Sequence, residues 1–126
     1  MKPRHTLKKL KIWNDAIDLA VEIYKMTDTF PKEERFNLVS QMNRCVVSIS
    51  SNIAEGSGRN HDKEFRHFLG IANGSANELI SQLTIANRLG YVSNETYKNI
   101  EARIERNQSN IYSFASTLNK PTSQSS

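Results

Sequence analysis

Four stretches of this chain carry apolar residues at alternating steps of three and four, divided by proline and glycine, and that pattern restricts it to packed helices. The first stretch runs from about Leu10 to Thr29, with Trp13, Ile17, Ala20, Val21 and Tyr24 as its expected core stripe. Pro31 ends it, because proline disfavours helix at the preceding residue and has no N–H to donate. Pro31 also suits the first turn of a second helix, with Glu33 and Glu34 at its positive dipole end. That helix carries Phe36, Val39, Met42, Val46, Ile49 and Ile53, widened by Leu38 and Cys45, and reaches about Glu55. It closes on Gly56-Ser57-Gly58, where a glycine is expected in the left-handed cap conformation.

The third helix is opened by Asn60 or Asp62 and runs to Leu89, with Phe65, Phe68, Leu69, Ala72, Ala76, Leu79, Leu83 and Ala86 on its apolar face. Gly90 stands where a helix cap belongs. Ser93 caps the fourth helix, in which Tyr97, Ile100, Ile104, Asn107, Ile111, Phe114 and Leu118 form a heptad seam interrupted once, at Asn107. A polar residue there either fixes the pairing register or reaches water at the bundle edge. No segment alternates with the period of a strand, and short linkers favour antiparallel neighbours. The expected fold is therefore all-α: an antiparallel up-down four-helix bundle over residues 10–118, assembled as a homo-oligomer. A flexible basic arm is expected at 1–9 and a disordered, Ser- and Thr-rich tail at 119–126.

A chain of 126 residues fits one domain and buries enough surface to need no staple. Cys45 is the single cysteine, so no internal disulfide forms, which fits a reducing compartment. Met1–Lys11 is basic but has no apolar core of a secretory signal, and no run is long and apolar enough to span a membrane. The expected location is cytoplasmic, with no membrane partner. The net charge of +4 is uneven. Lys2, Arg4, Lys8, Lys9 and Lys11 precede the first acid, Asp15, and the remaining 12 Lys and Arg face 13 acids. The basic character thus belongs to the N-terminal segment, which suits phosphate groups of a polyanion or a solvated chain end.

Within the body, Arg44, Arg59, Lys63 and Arg66 are candidate phosphate contacts, the last three diluted by Asp62 and Glu64. Gly70 and Gly74 stand one turn apart inside the third helix, beside Ser75. Each costs about 0.5–1 kcal/mol relative to alanine, so close approach of another backbone is implied, within the bundle or between subunits. The glycine-rich turn after Glu55 lacks the strand and the Gly-Lys-Ser/Thr ending of a phosphate loop. Glu64-x-x-His67 is half of a di-iron carboxylate motif whose other parts are missing, so no metal or cofactor is expected. No serine, histidine and aspartate grouping suggests a hydrolase, and no catalytic residue is assigned. Cys45 and Trp13 are read as core.

Several ordered motifs carry a resemblance. Ile12-Trp13, Gln41-Met42-x-Arg44, Ser51-Asn52-Ile53-Ala54-Glu55-Gly56-x-Gly58-Arg59, Glu64-Phe65-x-x-Phe68-Leu69-x-Ile71-Ala72-x-Gly74-Ser75 and Leu89-Gly90-Tyr91 resemble the four-helix-bundle family encoded in intervening sequences of bacterial 23S rRNA genes, over about residues 8–118. That family is sometimes labelled ribosomal and is similar to the accessory variability proteins of diversity-generating retroelements. The resemblance implies a homopentameric barrel, association with RNA, DNA or a reverse transcriptase, and no enzymatic activity. It marks Asn52, Glu55, Gly56, Gly58 and Arg59 as family-motif positions. The function expected is a non-catalytic oligomeric bundle associating with nucleic acid or an enzyme that processes it. The alternative is an assembly or adaptor module without nucleic-acid affinity.

Overall fold

A computed structural model describes residues 5–118 and is all-α. Its helices are α1 (Lys11–Thr27), α2 (Leu38–Ser57), α3 (Asp62–Arg88) and α4 (Asn94–Thr117), with short 3-10 turns at Leu7–Lys9 and Lys32–Glu34. No strand occurs among the described residues. Neighbouring helices run antiparallel around the bundle in the order α1, α2, α3, α4, and α4 closes back on α1. Cross-links follow that course: Thr27 Oγ1 donates to Asn43 Oδ1 at 2.9 Å between α1 and α2, and Thr84 Oγ1 and Tyr97 Oη lie 3.0 Å apart between α3 and α4.

The core is one apolar cluster fed by all four helices, with Ile23, Met42, Ile49, Ile53, Phe65, Leu79, Leu83, Ile104 and Ile111 wholly enclosed. The expected faces of α3 and α4 are those observed, except that Phe68 is half-buried and lies outside the core cluster; Tyr97, Phe114 and Leu118 flank the core half-buried. Asn107 is buried within the α4 seam and donates through Nδ2 to the Ile12 carbonyl at 3.2 Å, fixing α4 against α1.

The α1 stripe differs from expectation. Its core face is Ile12, Ala16, Leu19, Ala20, Ile23 and Thr27, whereas Val21 and Tyr24 are each 48% exposed. Trp13 packs against the core only in part. Both faces satisfy a three-four period, so spacing alone does not select between them, and contact with α2 and α4 does. Phe36, expected in the α2 stripe, is 85% exposed because α2 begins two residues later, at Leu38. Pro31 opens the 3-10 turn instead of α2.

The ends are built by local chemistry. Ser93 Oγ accepts from the Thr96 N–H at 3.1 Å and caps α4 as expected. Gly90 has φ +82°, and the Tyr91 N–H donates to Ala86 O at 2.9 Å while the Gly90 N–H donates to Asn87 O at 3.0 Å. That pair of bonds is the Schellman arrangement, for which glycine removes the β-carbon penalty of a left-handed residue. Gly58 departs from expectation: it caps α2 at φ −87°, a right-handed conformation. The N-cap of α3 is His61, one residue from each of the two positions proposed for it, with Asp62 inside the first turn.

Two aromatic clusters close the bundle. Phe30 packs on Tyr91 with ring centroids 5.4 Å apart, and Tyr91 Oη donates to Glu34 at 2.9 Å, joining the α1–α2 and α3–α4 connections. At the other end the His5 ring meets Phe65 at 5.1 Å and Phe114 at 5.9 Å. Positions 5–9, expected within the arm, therefore include a residue laid on the bundle end and a turn of 3-10 helix. The arm's first residues, including Lys2 and Arg4, and the expected tail at 119–126 lie outside the described residues.

Candidate functional site

The Gly56–Arg59 corner, the most unusual stretch of the sequence, is a clamp between α2 and α3. The α2 helix must end there and α3 must start within four residues, so the two helices approach closely. A β-carbon on Gly56 would stand 2.7 Å from Phe65 Cδ1 and 2.9 Å from Phe68 Cβ, so glycine permits the contact. Arg59 then folds back over the corner. Its guanidinium lies 4.8 Å from the Phe68 ring centroid, 3.1 Å from Glu55 Oε2 and 3.7 Å from Glu64 Oε2. Such a cation over an aromatic face, paired on both sides, contributes about 0.5–1 kcal/mol at an exposed site. Asn52 is also inward-looking in its chemistry: Nδ2 donates to Ser48 O at 2.8 Å and to Ser48 Oγ at 3.0 Å.

The candidate cations separate into two groups. Arg59 is held by the corner, and Arg66 Nη1 donates to the Leu118 carbonyl at 3.0 Å, satisfying the end of α4. Lys11 pairs with Asp15 at 2.6 Å. Lys8, Lys9, Arg44 and Lys63 are exposed and have no ion-pair partner among the described residues. Arg44 lies in a shallow groove between α2 and α3, beside Gln41, Ser48, Ser75, Glu78 and Gln82. The structure thus does not gather the expected phosphate contacts into one site.

Gly70 and Gly74 are exposed, and a β-carbon on either meets nothing within 4 Å. They are not needed for packing inside the protomer. Ser75, next to them, faces α2: its Oγ lies 2.9 Å from Ser48 Oγ, and its carbonyl accepts from Cys45 Sγ at 3.0 Å. Burial pushes the Cys45 thiol up to about 11, with the nearby Glu78 charge adding to the effect. A thiol so protonated is a small core residue and a poor nucleophile. Among the described residues, no three His, Cys, Asp or Glu side chains are grouped to hold a metal ion.

Two features had no place in the sequence reading. The first is the outward side of α1: Ile17, Val21 and Tyr24, with Val47 of α2 and the edge of the core residue Ala20, line a nearly apolar groove of about 440 Å³. The signal was present, since these residues were read as a stripe, but it was assigned to the core. The second is a smaller cavity of about 150 Å³ between α1 and α4, flanked by Arg103 and Arg106. Those arginines were hidden in a mixed-charge stretch with Glu101 and Glu105, and their proximity to Lys11 exists only in the folded chain.

A family model described as "23S rRNA-intervening sequence protein" matches residues 8–113. Among solved structures, a protein of unknown function from the S23 ribosomal protein family of Bacteroides thetaiotaomicron superposes with a TM-score of 0.77 at 24% identity, covering 83% of this chain and 95% of that one. This likeness concerns the fold. No curated protein matches the chain.

Proposed function

The chain belongs to the 23S rRNA-intervening sequence protein family, and from that premise we propose that it acts as a non-catalytic bundle that assembles with copies of itself and associates with nucleic acid. The observation that carries this reading is the outward apolar face of α1. Val21 and Tyr24, with Val47 beside them, leave large apolar surface in water on a helix that already has a complete inward face. Helix α3 stands diagonal to α1 and presents a different surface, the open glycines Gly70 and Gly74 among exposed Ile71 and Ile85. An apolar groove on one copy fits a small-residue strip on the next. Because the two patches differ, the contact is heterologous, the type that builds a ring when its rotation closes. Five copies is the number the family resemblance suggests, and a ring multiplies the basic N-terminal segments of its subunits into one polyanion-attracting rim.

Light scattering tests the assembly: the expected mass is a defined multiple of 14.4 kDa. Val21→Asp together with Tyr24→Asp, or Gly74→Leu alone, is expected to reduce it to the monomer with helix content unchanged. A monomeric wild-type protein at micromolar concentration would refute this part. Nucleic-acid association is tested by binding mixed-sequence RNA and DNA across a salt series, with salt-sensitive binding expected at about 50 mM.

A second reading, an adaptor or assembly module that binds a protein and no nucleic acid, draws support from Arg59 and Arg66. Two of the four candidate cations of the body are engaged inside the protomer. It predicts that removing Met1–Lys9 leaves partner binding intact.

A further inference from the structure

The cavity between α1 and α4 combines three features that the packing of the bundle does not use. Arg103 and Arg106 stand one turn apart on α4 and have no hydrogen-bond or ion-pair partner among the described residues. Lys11, opposite them at the start of α1, is oriented by Asp15, and Asp18 lines the same cavity. Asn107, 3% exposed, donates through Nδ2 to Ile12, but its Oδ1 is buried with no donor. Asn107 thus forms part of the polar floor of the cavity without offering that oxygen to it. The lining is therefore mixed: cations that want an oxyanion, and two carboxylates, Asp15, which is paired with Lys11, and Asp18, which wants a hydroxyl or amine.

We infer that this α1–α4 cavity is a subsite for one ribose-phosphate unit of single-stranded RNA. The phosphate meets the Arg103 and Arg106 guanidinia, with Lys11 adding charge. A ribose hydroxyl donates to Asp18, which is exposed on the cavity wall. A bare polyanion leaves Asp18 unsatisfied and meets two carboxylates, Asp15 and Asp18, so the site favours a ligand bearing its own donors. The 2′-hydroxyl is the group by which a protein separates RNA from DNA. A volume of about 150 Å³ is of the size of one sugar-phosphate unit. Lys8 and Lys9, exposed just before α1, extend the same basic locality along a strand. This inference rests on the nucleic-acid reading above and gives it a place.

The test is fluorescence anisotropy of the full chain with a labelled single-stranded RNA of mixed sequence and with DNA of the same sequence, over a salt series. Wild type is expected to prefer RNA by roughly fivefold or more. Arg103→Gln with Arg106→Gln is expected to weaken RNA binding by at least about tenfold at low salt and to flatten the logarithmic salt slope by about 0.7 per phosphate released. Asp18→Asn, which keeps the surface polar, is expected to narrow the RNA-to-DNA ratio. Wild-type binding that the double arginine variant leaves unchanged in affinity and slope overturns this subsite while the nucleic-acid reading stands. Equal affinity for RNA and DNA overturns the ribose assignment. Failure of wild type to bind either at about 50 mM salt overturns both readings together. Circular dichroism of each variant establishes that a loss is not unfolding.

Discussion

Gly56 and Phe65 are so close that the missing β-carbon of one would enter the ring of the other, at 2.7 Å from Cδ1. This contact sets how near the end of α2 comes to the start of α3. Gly56→Ala is therefore expected to overpack the corner and cost about 1–3 kcal/mol. Urea denaturation checks it, as a lowered midpoint at unchanged slope.

Gly70 and Gly74 give the opposite expectation. Nothing lies within 4 Å of a β-carbon on either, and both sit inside a long helix. Gly70→Ala is expected to stabilise the protomer by about 0.5–1 kcal/mol through helix propensity. A loss of stability on that substitution, measured on the monomeric Val21→Asp, Tyr24→Asp background, would contradict the open geometry.

Gly90 is held by backbone conformation, not by space. At φ +82° an alanine is strained although nothing crowds it. Gly90→Ala is expected to cost roughly 1–2 kcal/mol, readable as an earlier thermal transition without loss of helix content in the folded state.

The corner arginine is expected to act in folding and not in binding. Arg59→Gln removes the contact with Phe68 and the pairs with Glu55 and Glu64. About 1 kcal/mol of stability should go with them, since the side chain is partly exposed and solvent screens the pairs. The salt slope of RNA binding should stay as in wild type; a flatter slope would make Arg59 a phosphate contact after all.

The Cys45 thiol provides a pH signature. Its folded pKa is raised to about 11 from an ordinary value of 9.0, by burial first and Glu78 second. The folded state thus holds its proton through a range in which the unfolded chain releases it. Stability from this group is complete below about pH 9 and declines as pH rises toward 11. Tyr91, raised chiefly by its hydrogen bond to Glu34, moves stability in the same direction. Native Cys45 should also resist a thiol reagent at neutral pH and react only on unfolding.

Much of this was legible in the chain. The inward faces of α3 and α4 follow from spacing because each has one continuous apolar stripe, with Ile71, Ile85 and Tyr112 lying off it; Ile100, Ile104 and Ile111 are buried where the heptad put them. The Ser93 cap and the Gly90 stop were equally local. The candidate site was not legible to the same degree. Arg59 and Arg66 read as candidate phosphate contacts diluted by nearby acids, but the partners Phe68 and Leu118 reach them only through the corner and across two helices. Arg103 and Arg106 carried no signal of their own, because the groove they flank requires α1 beside α4.

What the sequence determined by itself is the set of four helices, their stops and the inward faces of those with a single apolar stripe, since hydrogen bonds within a helix and the 3.6-residue period depend on near neighbours alone. What only the tertiary structure decided is which of the two apolar sides of α1 turned inward, why Gly56 is needed and Gly70 is open, and which cations remain free. Those outcomes depend on distances between residues far apart in the chain, such as Ile12 and Asn107, and no local period encodes a distance across a bundle.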